Sequence, residues 1–149
     1  MIKRDKVLTY ITHGNKLLVF THPESPEAGI QVPGGTVEPD ESVEDAALRE
    51  ATEETGLHGL RLGTILGDFR RDMSDYNIAA IWHIHFFHIW CDEEPPASWR
   101  HYEYTASDRA PGHEPIPFDF YWLDLTLELP PLYGYHATYI PQLKPFLGL

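Results

Sequence analysis

The chain has 149 residues, with 11 Lys and Arg against 23 Asp and Glu, a formal net charge of −12. That length suits one domain over 1–149 with its own core, and an apolar share of 42% excludes a disordered chain. A lone cysteine, Cys91, excludes a disulfide framework and a multi-thiolate zinc site, while the acidity disfavours a nucleic-acid backbone as partner. No apolar run reaches the roughly 18 residues of a membrane span, so no membrane partner is expected. The opening Met1-Ile2-Lys3-Arg4-Asp5-Lys6 is charged and unlike a signal peptide, which points to the cytoplasm.

Val7 to His13 and Lys16 to His22 read as the strands of a hairpin, because Gly14-Asn15 tolerates the positive φ of a tight turn. A Pro-rich loop over 23–30 follows, then a short extended piece, Gln31-Val32-Pro33, ending at Gly34-Gly35. Val43 to Thr55 is the clearest helix. Ser42 with Asp45 three residues on is a capping signal, acids fill the first turn, and Gly56 suits the residue after the helix. Leu60 to Arg70, Ile78 to Cys91 and Phe118 to Leu125 read as strands, and Asp92 to Pro115 as an acidic loop. Leu132 to Leu147 reads as a closing helix that Pro141 and Pro145 break or kink. Strands on both sides of one helix imply an α/β domain with a mixed sheet.

The informative stretch runs from Gly35 through Glu41 and Arg49-Glu50 to Glu53-Glu54 and Gly56-Leu57. At 100° per residue, Glu50, Glu53 and Glu54 share one helical face, while Ala47, Leu48 and Ala51 form an adjacent apolar one. Like charges at this spacing oppose helix formation by a few tenths of a kcal/mol each. Arg49 is the only base in the helix. Clustered carboxylates suit a hard cation such as Mg²⁺ or Mn²⁺. The Gly-Gly turn lets backbone approach a ligand closely.

This segment resembles the Nudix hydrolase signature: Gly, five residues, Glu, seven residues, Arg-Glu, aliphatic, any, Glu-Glu, any, Gly, aliphatic. All seven fixed positions are present as Gly35, Glu41, Arg49, Glu50, Glu53, Glu54 and Gly56, with Leu57 in the last aliphatic place. Chance agreement at seven positions occurs on the order of once in 10⁸ windows, which separates this match from a lone glycine loop. Ala51 is smaller than the usual aliphatic residue. The resemblance implies an α/β/α sandwich around a mixed β-sheet. It also implies a metal-dependent hydrolase that cleaves the diphosphate linkage of a nucleoside diphosphate derivative by attack of water on phosphorus. By the same resemblance Glu50, Glu53 and Glu54 are metal ligands, joined by the Gly35 carbonyl, and Arg49 pairs with Glu41 to hold the loop on the helix. Mg²⁺ or Mn²⁺ is the implied cofactor. The general base varies in the family; Glu114, before the last strand, is the leading outside candidate, with Glu103 and Glu93 as alternatives.

Other signals carry less. His83 and His85 share a strand face, but no third zinc ligand stands at a diagnostic spacing, so they read as lining a sheet or touching phosphate. Cys91, beside Asp92, Glu93 and Glu94, is a poor nucleophile. Arg70 and Arg71 are candidate phosphate binders. Tyr76, Trp99, Tyr102, Tyr104 and Tyr133 are candidates for stacking a base, and Trp82, Phe86, Phe120 and Trp122 read as core. The alternatives to a hydrolase are a non-catalytic nucleotide sensor of the same fold and an isoprenoid diphosphate isomerase; the intact signature favours the hydrolase. The partner is then a small nucleotide-type molecule: a nucleotide, nucleotide sugar or dinucleotide. The aromatic tail from Leu129 packs on its own domain or on a second subunit of a homodimer.

Overall fold

The computed structural model describes residues 2–103 and 114–149. Strands β1 (Ile2–His13), β2 (Lys16–Thr21), β3 (Gly34–Thr36), β4 (Leu60–Asp72), β5 (Ala80–Cys91), β6 (Ser98–Glu103) and β7 (Ile116–Asp124) form one mixed sheet. Their order is β4-β5-β1-β2-β7-β6, with β3 alongside β1. Helix α1 (Val43–Thr55) lies between β3 and β4, and the chain ends in a short α2 (Ile140–Leu143).

β1 organises the sheet. Along one edge it runs parallel to β5 from Ile2↔Ala80 to Thr12↔Trp90. Along the other it shares its length between β3, at Lys6↔Thr36 to Leu8↔Gly34, and β2, at Thr12↔Leu17 and His13↔Lys16. The expected hairpin is therefore real but two pairs deep. β2 turns away to pair along its whole length with β7, and the gap it leaves admits the glycine loop.

Alternation along the strands supplies two cores, one on each face. Val7, Ile11, Phe87 and Ile89 face α1, where Ala46, Ala47 and Ala51 are fully buried. Alanine at these positions lets the helix axis sit close to the sheet, which accounts for Ala51 in place of a larger aliphatic residue. Tyr10, Leu17, Ile84 and Phe86 face the opposite layer, built from Leu129, Leu132, Tyr135, Tyr139, Ile140 and Leu143. The C-terminal tail thus closes the second face of its own domain, and the Tyr10 hydroxyl donates to the His136 carbonyl at 2.5 Å. The result is an α/β/α sandwich.

Three expectations need correction. The long closing helix is absent: turns occupy 133–139, and α2 is followed by a 3₁₀ turn over Lys144–Leu147. Pro141 and Pro145 each fall in the first turn of one of these short pieces, where a missing N–H is harmless, and neither can lie inside a longer helix. The acidic loop over 92–115 contains β6, an edge strand whose exposed side chains hide its alternation. The strand expected from Ile78 begins at Ala80, because a 3₁₀ turn over Met73–Tyr76 ends at Asn77 with φ 61°. Tyr104 lies outside the described residues. Among those described, no helix is long and apolar enough to cross a membrane.

Candidate active site

Helix α1 is fixed at both ends. Ser42 Oγ accepts the Asp45 N–H at 3.1 Å, and Glu44 and Asp45 occupy the positive end of the helix. Gly56 terminates it at φ 74°, returning its N–H to the Thr52 carbonyl at 2.9 Å. Two rings from β6 finish the cap. Trp99 Nε1 donates to the Thr55 carbonyl at 2.8 Å, and His101 Nε2 lies 2.9 Å from the Glu53 carbonyl. With its alanine face against the sheet, the helix turns Glu50 and Glu54 toward the glycine loop.

Arg49 ties loop to helix. Its Nε and Nη2 meet the two oxygens of Glu41 at 2.6 and 2.8 Å, a bidentate pair. Nη2 also reaches the Thr36 carbonyl at 3.1 Å, and Nη1 reaches Glu50 at 2.9 Å and Glu53 at 3.2 Å. The guanidinium holds the Glu41 carboxyl below its ordinary range. Gly35 is needed for a different reason. A Cβ there would stand 2.1 Å from Glu50 Cδ, so the Glu50 carboxylate lies directly on the Gly35 backbone.

Three buried or half-buried carboxylates converge beyond this clamp. Glu54 is 7% exposed, and burial, then the charges of Glu103 and Glu50, push its carboxyl well above the ordinary range against an opposing Gly34 N–H. Burial raises Glu50 to about 7, although Arg49 pulls the other way. Glu103 is 9% exposed, and its charge contributes to both shifts. Glu53 is exposed at the rim. Carboxylate oxygens that repel one another in this way form a donor set suited to a hard divalent cation.

The carboxylates head a cleft of about 630 Å³. Lys6 enters from β1, with its Nζ 2.6 Å from Thr36 Oγ1 and 4.3 Å from the centre of the Trp82 ring. The lining also includes the rings of Phe118, Tyr133, Tyr135 and His136, together with the polar Ser25, Glu27 and Gln31. His136 is buried and accepts the Val32 N–H on Nδ1 at 3.0 Å, and burial lowers its pKa to about 4, so the ring is neutral. The lining thus combines charged groups with planar rings, as a molecule with a polyphosphate and a flat ring requires.

The structure brings Gly35, Glu41, Arg49, Glu50, Glu53 and Glu54 together, as the resemblance implies. It does not bring Glu114 there. Glu114 is exposed ahead of β7 and does not line the cleft, whereas Glu103 on β6 does. Arg70 is exposed and Arg71 is paired with Asp75 at 2.5 Å; neither lines the cleft. Of the aromatic candidates, Tyr133 lines the cleft, while Trp99 stacks on Phe120. Trp82, read as core, packs against the second core and lines the cleft as well. Lys6 was not foreseen: in the sequence it is one charge among several in an N-terminal segment, and only the β1–β3 pairing sets it beside the glycine loop.

A loop clamped to a helix that presents stacked carboxylates to such a cleft defines an enzyme acting on phosphate anhydrides. The NUDIX domain family matches residues 2–131, and the chain belongs to that family as a Nudix-type diphosphate hydrolase. Enzymes of this family generally use divalent metal ions. The chain is 32% identical over 102 residues to the CTP pyrophosphohydrolase of Escherichia coli K12, covering 59% of this chain and 75% of that one. Its fold resembles the MutT Nudix hydrolase of Burkholderia pseudomallei, with a TM-score of 0.60, 20% identity, and 95% and 98% of the two chains covered. A Nudix hydrolase of Nitrosomonas europaea gives 0.62, 18% identity, and 96% and 89%.

Proposed function

We propose that this chain hydrolyses the diphosphate linkage of a nucleoside diphosphate derivative, with a nucleoside triphosphate such as CTP as the first candidate. One observation carries the reading: Glu50, Glu54 and Glu103 crowd together in a cleft that planar rings also line. The name of the Escherichia coli relative supports the choice of CTP.

Glu50, Glu53 and Glu54, with the Gly35 carbonyl, would hold Mg²⁺ or Mn²⁺. Bound there, such an ion would neutralise phosphate charge and make a water more acidic. The chain's own residues do the rest. Arg49 keeps the loop and carboxylates in register through Glu41 and Thr36. Lys6 offers a positive charge at the phosphate end, and Trp82 and Tyr133 flank the space for a planar base. Glu103 is assigned as the base that takes a proton from the attacking water, because of the two carboxylates outside the signature that line the cleft, Glu27 and Glu103, it is the one whose charge acts on Glu50 and Glu54. The water oxygen bonds to phosphorus as the bridging P–O bond breaks, and the bridging oxygen leaves on the departing phosphate.

The test is product release from CTP, other nucleoside triphosphates, ADP-ribose, nucleotide sugars and dinucleoside polyphosphates, with Mg²⁺ or Mn²⁺. Glu103→Gln is expected to lower kcat by about 10²–10⁴-fold with little change in KM, and Glu114→Gln to leave both near wild type. Loss of kcat in the Glu114 variant with retention in the Glu103 variant would reverse the assignment. No metal-dependent cleavage of any compound would refute the hydrolysis of nucleotide substrates.

A further inference from the structure

The sheet assembles a second set of ligand-type side chains apart from the carboxylates of α1. The parallel register sets Asp5 of β1 beside His83 of β5, and the antiparallel register sets Asp68 of β4 beside His85. Residues two apart on a strand share a face, so all four side chains project on the same side of the sheet. Asp5 Oδ1 lies 3.1 Å from His85 Nε2 and 3.5 Å from His83 Nδ1. The two imidazole rings are 4.0 Å apart, centre to centre.

We propose that Asp5, His83 and His85 form a binding site for a borderline-soft divalent cation of the zinc class. Two observations support it. First, the spacing fits. Ligands about 2.0–2.1 Å from a tetrahedral ion lie about 3.3 Å from one another, and the two measured Asp5-to-histidine separations bracket that value. Second, the outer shell is present. His83 has its other nitrogen, Nε2, 2.5 Å from Asp68 Oδ2. A carboxylate on the far nitrogen of a histidine is the arrangement that fixes the tautomer and raises the basicity of a metal ligand.

The chemistry differs from that of the α1 carboxylates. Two imidazoles with one carboxylate select zinc-class ions, whereas an all-oxygen set selects Mg²⁺ or Mn²⁺. His85 is 8% exposed and Asp5 is open to solvent, which gives the ion both a desolvated wall and a path of entry. A bound ion would cross-link β1 and β5, with Asp68 of β4 bracing His83. The sequence shows His83 and His85 as an isolated pair, because the two carboxylates stand 78 and 15 residues before His83.

The experiment is calorimetric titration of the full-length, chelator-treated chain with Zn²⁺ in millimolar Mg²⁺, alongside Co²⁺ absorption and NMR of the histidine rings. The expected result is one equivalent of Zn²⁺ bound, with the His83 and His85 resonances shifted. His83→Ala and His85→Ala should lose that equivalent, Asp68→Asn should weaken it about 10–100-fold, and Glu54→Gln should leave it intact. Absence of saturable Zn²⁺ binding in the unaltered chain would overturn the proposal. So would binding that survives both histidine substitutions or disappears with Glu54. The ring resonances of the unaltered chain decide the matter even if a variant fails to fold.

Discussion

Replacing Glu50 by glutamine tests the electrostatics of the active site directly. Glu50 titrates near 7 in the metal-free folded chain against an ordinary value of 4.5, because burial outweighs Arg49. Between those values the folded state holds more protons than the unfolded one. Stability from this group therefore falls as pH rises from 4.5 to about 7 and is level above that. At 1.36 kcal/mol per pH unit the loss is about 3 kcal/mol. Glutamine is isosteric and still offers Oε1 to Arg49, whose Nη1 lies 2.9 Å from Glu50 Oε1. Glu50→Gln should therefore stabilise the metal-free protein by up to about 3 kcal/mol at pH 8, seen as a rise of roughly 6–12 °C in Tm, and by nothing at pH 4. The same variant should lose most Mg²⁺-dependent turnover. Thermal melts in chelator at pH 4 and 8, with rates at saturating Mg²⁺, give both numbers. A variant no more stable than wild type at pH 8 would refute the view that mutual repulsion and burial strain this cluster.

Gly35→Ala should leave the fold measurable by circular dichroism but cut kcat/KM by more than about 100-fold, since the new Cβ displaces the Glu50 carboxylate lying 2.1 Å away. Arg49→Ala removes the partner of Glu41, Glu50 and Glu53 together; a loss of about 2 kcal/mol in denaturant melts and a lower rate are expected, and Arg49→Lys should recover little because Lys cannot pair bidentately with Glu41. Burial lowers His88 and His136 to about 4 from an ordinary 6.5, so the unfolded chain binds more protons across that interval. Each should contribute up to about 3 kcal/mol that is present above pH 6.5 and lost as pH falls toward 4. Acid unfolding of His136→Gln, whose Oε1 can still accept from Val32, should shift to lower pH. An unchanged acid midpoint would count against a neutral His136.

Local chemistry was legible in the sequence. The cap at Ser42, the stop at Gly56, Ala47 and Ala51 of the apolar face and the stacked glutamates of α1 all depend on spacing within one helix, and a helix has a fixed period; Ala46 rather than Leu48 completes the buried face. The Arg49–Glu41 pair was legible through the resemblance, and it spans only eight residues. The prolines of the tail announced that its helix would break, but not that its aromatic side chains would cover the second face of the sheet.

What the tertiary structure decided is what adjacent strands bring together. β6 reads as an acidic loop because its exposed positions are polar, yet its pairing with β7 carries Trp99 and His101 to the end of α1 and Glu103 to the carboxylates. Lys6 reaches the glycine loop only through the β1–β3 register, and Asp5 meets His83 only through the parallel β1–β5 register. Register is set by burying one face of every strand at once, which is a property of the whole sheet and of no single segment. The sequence by itself determined the helix and its chemistry; the packing of the sheet decided which distant charges that chemistry works beside.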